Sequence, residues 1–246
     1  MESLPRHILR AIRDNLRLLA LLAAAMAAID IFIGQTSQGS SFAIQCILVY
    51  TLHRQILFGM PINWLGQVRP PAGVALPKER MGRFVLISLL FTAVAVLPPL
   101  IAAFMLIPNG PDAVAIRLGT TVLGGVTLMW LLLSAAGTIL LATASALPLS
   151  PGRAWQAGRK TGLRVAMQLL LFPGLYTLLL IAVNIFVLGP LLPQNMEKAA
   201  SYGYSAAFVF MGSLSSVMTV VILVRAFQRA YPKDQMPDVD AAPVPL

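Results

Sequence analysis

The chain has 246 residues, 58% hydrophobic and 11% charged, whereas soluble domains carry about a quarter charged residues. That balance excludes an ordinary soluble domain and points to a bilayer. The net charge of +9 invites a nucleic-acid reading, but that needs one broad basic face with aromatic stacking groups. Here the charges are instead distributed between apolar runs. A single cysteine, Cys46, excludes an internal disulfide. His7 and His53 lie far apart, and no Cys/His spacing points to a metal or cofactor site.

A spanning helix needs roughly 20 apolar residues, because ~30 Å of hydrocarbon is crossed at 1.5 Å per residue. The chain opens on a basic amphipathic arm holding Arg6, Arg10, Arg13 and Arg17. A first span follows over residues 18–34, and a second and weaker one over 40–53. The third covers 84–107, the fourth lies within 115–147, the fifth covers 165–188 and the sixth 202–224. From Tyr231 the chain is rich in Pro and Asp and lacks an apolar period, so 231–246 is predicted to be a disordered tail. Residues 1–230 form one domain. "AMA" at residues 25–27 mimics a secretory cleavage site, but the long basic region before it favours an uncleaved anchor.

Lys and Arg collect on cytoplasmic flanks, which gives an independent check on the threading. Beside the arm, the connection after the second span holds Arg54, Arg69, Lys78, Arg80 and Arg83. The connection before the fifth holds Arg153, Arg159, Lys160 and Arg164, and the end of the chain holds Arg225, Arg229 and Lys233. Sixteen of the eighteen basic residues thus fall on one side, leaving Arg117 and Lys198 on the other. Five or seven spans would break this alternation. The predicted fold is therefore all-α: a polytopic transmembrane bundle of six spans with both termini cytoplasmic.

Asp30 is the only acidic residue inside a predicted span, and intramembrane acids are functional candidates. It lies near the outer end of its helix, where headgroups, water or Arg117 can meet it. "LPPL" at 97–100 places Pro98 and Pro99 in the third span, freeing the carbonyls of Val94 and Ala95. "FPG" places Pro173 in the fifth, freeing that of Leu169. Paired broken helices can mark a transporter site, but these two lie at different depths, which favours kinks that shape packing. Small residues in "LGG", "SAAG" and "GSLSSVMT" suit close helix approach, although Ser213, Ser216 and Thr219 could also line a solute path. Gln45, Gln168 and Asn184 read as interhelical hydrogen-bonding groups. His53-Arg54 has no carboxylate nearby in sequence to complete a relay, and Arg54 reads as an ordinary charge anchor.

"SPGRAWQAGRKTGLR" at 150–164 begins as a helix should, with Ser150 as cap and Pro151 in the first turn. Arg153, Gln156, Lys160 and Arg164 fall on one face, and Ala154, Trp155, Gly158 and Gly162 fall roughly opposite. Such a helix suits an interface with anionic headgroups, and Arg153, Trp155, Arg159, Lys160 and Arg164 are its candidate contacts.

"LHRQILFG" after the second span, "RF" opening the third and "ALPLSPGRAWQAGRKTG" before the fifth resemble a broad group of bacterial six-helix inner-membrane proteins. That group is similar to the membrane domain attached to some glycerophosphodiester phosphodiesterases. The resemblance implies six spans and a bacterial inner-membrane address; it supplies no catalytic residues, and the phosphodiesterase domain has no counterpart in this sequence.

Two functions follow from different classes. The first is a non-enzymatic accessory or interaction component, acting on lipids, a membrane partner or a second copy of itself, without nucleic acid or cofactor. It predicts a packed interior. The second is a small transporter or channel near the kinked third and fifth spans. It predicts a polar cavity near the midplane that touches Asp30, Gln45 or Asn184.

Overall fold

The computed structural model describes residues 3–33, 38–58, 81–110, 112–144, 151–188 and 198–231. Among them every regular element is helical. In chain order they are α1 (Leu4–Ile33), α2 (Gln38–Phe58), α3 (Met81–Leu106), α4 (Ala113–Ala136), α5 (Thr138–Ala144), α6 (Pro151–Leu169), α7 (Leu175–Val183) and α8 (Lys198–Ala230). Two π-turns, Leu170–Gly174 and Asn184–Leu188, flank α7. Four helical stretches are long and apolar enough to cross a membrane: Met81–Leu106, Ile116–Ala136, Gly158–Val183 and Tyr202–Ala230. Their outer faces expose Leu86, Leu90, Leu123, Val126, Leu178 and Leu179, as lipid contact requires and water does not favour. The protein is of the membrane-embedded class.

The inner half of α8 is the axis of the fold. Val220, Val221, Ile222, Leu223 and Val224 are all buried in succession, and a helix apolar all round belongs in an interior. Around it pack Leu19 of α1, Leu48 and Leu52 of α2, Leu141 of α5, and Val165 and Leu169 of α6. The predicted arm and first span are one continuous helix, α1. Its buried residues Ile8, Ala11, Asn15, Leu19 and Ala23 recur every three or four positions and make the stripe that α8 receives. Arg6, Arg10, Arg13 and Arg17 lie on its exposed side.

Between apolar helices in lipid the hydrophobic drive is weak, and close packing and interhelical hydrogen bonds hold the contact. Tyr202 Oη donates to the Ala24 carbonyl at 3.1 Å, joining α8 to α1. Trp130 Nε1 donates to the Ala166 carbonyl at 3.0 Å, joining α4 to α6. Tyr176 Oη donates to the Met211 carbonyl at 2.9 Å, and Thr177 Oγ1 meets Ser215 Oγ at 3.0 Å, joining α7 to α8. Such bonds average about 0.6 kcal/mol each in a membrane protein.

Small residues set the closest contacts. Gly158 and Gly162 lie against Ser134 and Ala135, so a Cβ on Gly158 would run into the Ala135 carbonyl. These two glycines are four residues apart, the spacing that lets membrane helices touch backbone to backbone. In the α3–α4 hairpin, a Cβ on Gly124 would lie 2.5 Å from Pro99 Cβ. Gly125 backs onto the Ala95 carbonyl, one of the two freed by the prolines.

Three expectations gain detail. The helix α3 runs unbroken through Pro98 and Pro99. Pro173 instead sits inside a π-turn, whose wider ring absorbs the missing N–H. The predicted fourth span divides at Gly137 into α4 and α5, where a Cβ would meet Leu133 and Leu223. Past that point α5 turns inward, and Leu140 through Ala144 are buried. The predicted tail beyond Tyr231 lies outside the described residues.

A cavity between the hairpin and the central helix

Within the described residues α3 and α4 pack chiefly on each other, and their inner faces stand off from α8. The space between is a cavity of about 310 Å³. The helices α2, α3 and α8 line it with stripes of helical spacing: Gln45, Cys46, Val49 and His53; Phe84, Ser88, Phe91 and Thr92; and Ser215, Ser216, Thr219, Val220 and Leu223. Met129 and Leu133 of α4 and Leu140 of α5 complete the wall. Each of the three stripes covers nine residues, eight helical steps, so the cavity runs about 12 Å along the helices.

Chain direction orders its levels. His53, Phe84 and Leu223 lie at one end, Val49, Ser88 and Thr219 in the middle, and Gln45, Thr92 and Ser216 at the other. At the first end His53 is 1% exposed. Its Nδ1 lies 2.7 Å from the Val49 carbonyl. A carbonyl can only accept, so Nδ1 carries the proton. Nε2 is buried with no hydrogen-bond partner among the described residues. The ring meets Phe84 edge-on, with centroids 5.5 Å apart.

Arg54 corrects a sequence expectation. Far from being a surface anchor, it is 2% exposed. Its Nη1 donates to Tyr50 Oη at 3.3 Å and to the Ala144 carbonyl at 3.4 Å. The guanidinium carbon lies 5.8 Å from the Tyr50 ring centroid and 5.5 Å from that of Phe58. Ala144 ends α5, where carbonyls lack helical partners and a cation is favoured. Arg54 thus ties α2 to the end of α5. The positive-inside pattern carried no sign of this, because a buried Arg and an interfacial one look alike in sequence.

Of the predicted candidates, the cavity gathers Gln45, Ser216 and Thr219. Ser213 is buried apart, donating to the Val209 carbonyl at 2.8 Å. Asn184, at the start of the second π-turn, donates to Tyr204 Oη of α8, a bond between helical segments as its sequence reading expects. Asp30 falls in the last turn of α1, and its side chain lies outside the described residues. Arg117 is committed to its own hairpin: Nη2 donates to the Ile107 carbonyl at 2.6 Å and to Asn109 Oδ1 at 2.8 Å, and the guanidinium covers Phe104. Pro98 is exposed on the outer face of α3.

On α6, Arg159, Lys160 and Arg164 are exposed and Trp155 is 57% exposed; the Arg153 side chain lies outside the described residues. The glycine stripe is spent on α4, whereas Trp155, one turn earlier, is left uncovered. Among the described residues no group of His, Cys, Asp and Glu could hold a metal ion. The chain matches no family model, no curated protein and no solved structure.

Proposed function

We propose that this is a polytopic inner-membrane protein that binds a small solute within the bilayer, as a transporter or channel does, without enzymatic chemistry. The observation that carries this reading is the cavity between α2, the α3–α4 hairpin and α8, lined by Gln45, Ser216 and Thr219. A protein acting only through its surface would have no use for a largely apolar void edged by these polar groups, because unfilled space costs packing. In the full threading α1 and α2 join the four long apolar stretches to give six spans with both termini cytoplasmic. The distribution of Lys and Arg supports that threading, and the resemblance to bacterial six-helix proteins supports the address.

Native mass spectrometry on protein extracted in mild detergent tests the solute reading. Wild type is expected to carry a small molecule that Ser216→Phe, which fills the cavity, has lost. Equal occupancy in both forms, or bulk phospholipid alone in both, would sink the reading. Topology is tested separately: a reporter fused after Leu246 is expected to be active in the cytoplasm, and periplasmic activity would overturn the threading.

A second reading is an accessory component, working on anionic headgroups, a partner protein or a second copy of the chain. Exposed Trp155 beside Arg159 and Lys160 favours it, since Trp with Arg and Lys suits a membrane interface. A stoichiometric protein partner in the same purification, with no cavity ligand, would select it.

A further inference from the structure

We infer that the cavity selects uncharged molecules that carry an N–H or O–H donor on an apolar body, with His53 Nε2 as the acceptor. This rests on the solute-binding reading of the cavity and deepens it.

The inference comes from where the protons of the lining groups already go. His53 donates through Nδ1 to the Val49 carbonyl, leaving Nε2 as a buried lone pair without a partner among the described residues. Thr219 Oγ1 donates to the Ser215 carbonyl at 2.9 Å, and Thr92 Oγ1 donates to the Ser88 carbonyl at 2.9 Å. Each threonine has therefore spent its one proton on its own helix and keeps only lone pairs to offer. The Cys46 thiol is engaged with Ser88. The His53 end of the lining therefore offers acceptors, whereas at the far end the Gln45 amide and the Ser216 hydroxyl can donate as well.

Charge narrows the class further. Among the described residues no Asp or Glu lines the cavity, so a cation finds no counter-ion among them. The Arg54 guanidinium, buried next to His53 in sequence, opposes a cation at that end. An anion needs donors, and the His53 end presents acceptors. Phe84, Phe91, Leu133 and Leu223 suit an apolar body. A hydroxyl or N–H directed at His53, whose neighbours Phe84 and Leu223 are at most 1% exposed and must give way to admit it, with that body extending toward Gln45, satisfies each of these surfaces.

The test compares 2-naphthol with 2-methoxynaphthalene, which has the same rings and no donor, and with the anion 2-naphthoate. Equilibrium dialysis at pH 7 uses full-length protein in mild detergent, and the Ser216→Phe protein reports partition into micelles. Wild type is expected to bind 2-naphthol about fivefold more tightly than its methyl ether, the ratio of one modest hydrogen bond, and to ignore 2-naphthoate. His53→Phe, which keeps the ring against Phe84, is expected to abolish that preference while the ether binds as before. Thr219→Val, a near-isostere, is expected to reduce it and stands in if His53→Phe does not fold. Equal binding of naphthol and ether by wild type overturns the donor rule and leaves the cavity a solute site. Preference for 2-naphthoate overturns the inference in the same way. Binding of none of the three above the Ser216→Phe background overturns the inference together with the solute reading.

Discussion

Gly158→Leu is expected to destabilise the protein by about 3 kcal/mol, the upper part of the range for overpacked sites. A Cβ at this position would run into the backbone carbonyl of Ala135 rather than a side chain that could swing away. The two helices would have to separate, and with them the Trp130 bond to Ala166 that lies two turns along the same contact. Gly162→Ala should cost less, because its Cβ would stand 3.2 Å from the Ser134 carbonyl and a small shift relieves it. Gly152→Ala has no neighbour within 4 Å and should be neutral or mildly stabilising, since alanine is the better helix former by about 1 kcal/mol. Thermal or detergent denaturation of the three variants checks the order. Similar losses at Gly152 and Gly158 would mean that the α4–α6 contact is not what the glycines serve.

The next largest effect is expected at Arg54. Arg54→Ala removes two hydrogen bonds, the stacking on Tyr50 and Phe58, and a fully buried stem, a combined loss of about 3 kcal/mol. Arg54→Met keeps most of the stem volume but removes the donor to the Ala144 carbonyl, and should recover about half of that loss. Arg54→Lys should not restore wild-type stability, because a single ammonium lacks the planar fork that meets an oxygen while lying against two rings. The same denaturation assay reads all three. Full recovery with lysine would show that charge alone matters at this site.

The helices were legible from residue pattern because apolar length is a local property. Gly158 and Gly162 stood out as one small-residue stripe, but what that stripe meets, Ser134 and Ala135 of α4, is not written near them. Arg54 was misread because neither its depth nor its partner Ala144, ninety residues away, is written near it. The cavity was half visible. Gln45, Ser216 and Thr219 drew attention as polar groups in apolar runs, whereas Ser88 and Thr92 passed as unremarkable hydroxyls. Their four-residue interval, like the seven from Cys46 to His53, is the signal that could have joined them. What no single helix encodes is the relative height of α2, α3 and α8, which decides that the stripes face one space. The division at Gly137 was equally hidden, since a glycine after "SAA" reads as one more small residue for packing.

The π-turn at Leu170–Gly174 makes the number of residues in this segment part of its design. A π-turn is an α-helix carrying one surplus residue within a wider ring. Because the wider ring absorbs the surplus, the residues beyond it keep the facing they would have without it, whereas the same extra residue in an uninterrupted α-helix would turn everything downstream by roughly 100°. The π-turn thus keeps Tyr176 and Thr177 set against Met211 and Ser215 despite the extra residue. Since Ser215 also lines the cavity, the wall of the cavity depends on the chain's arithmetic as well as on its chemistry.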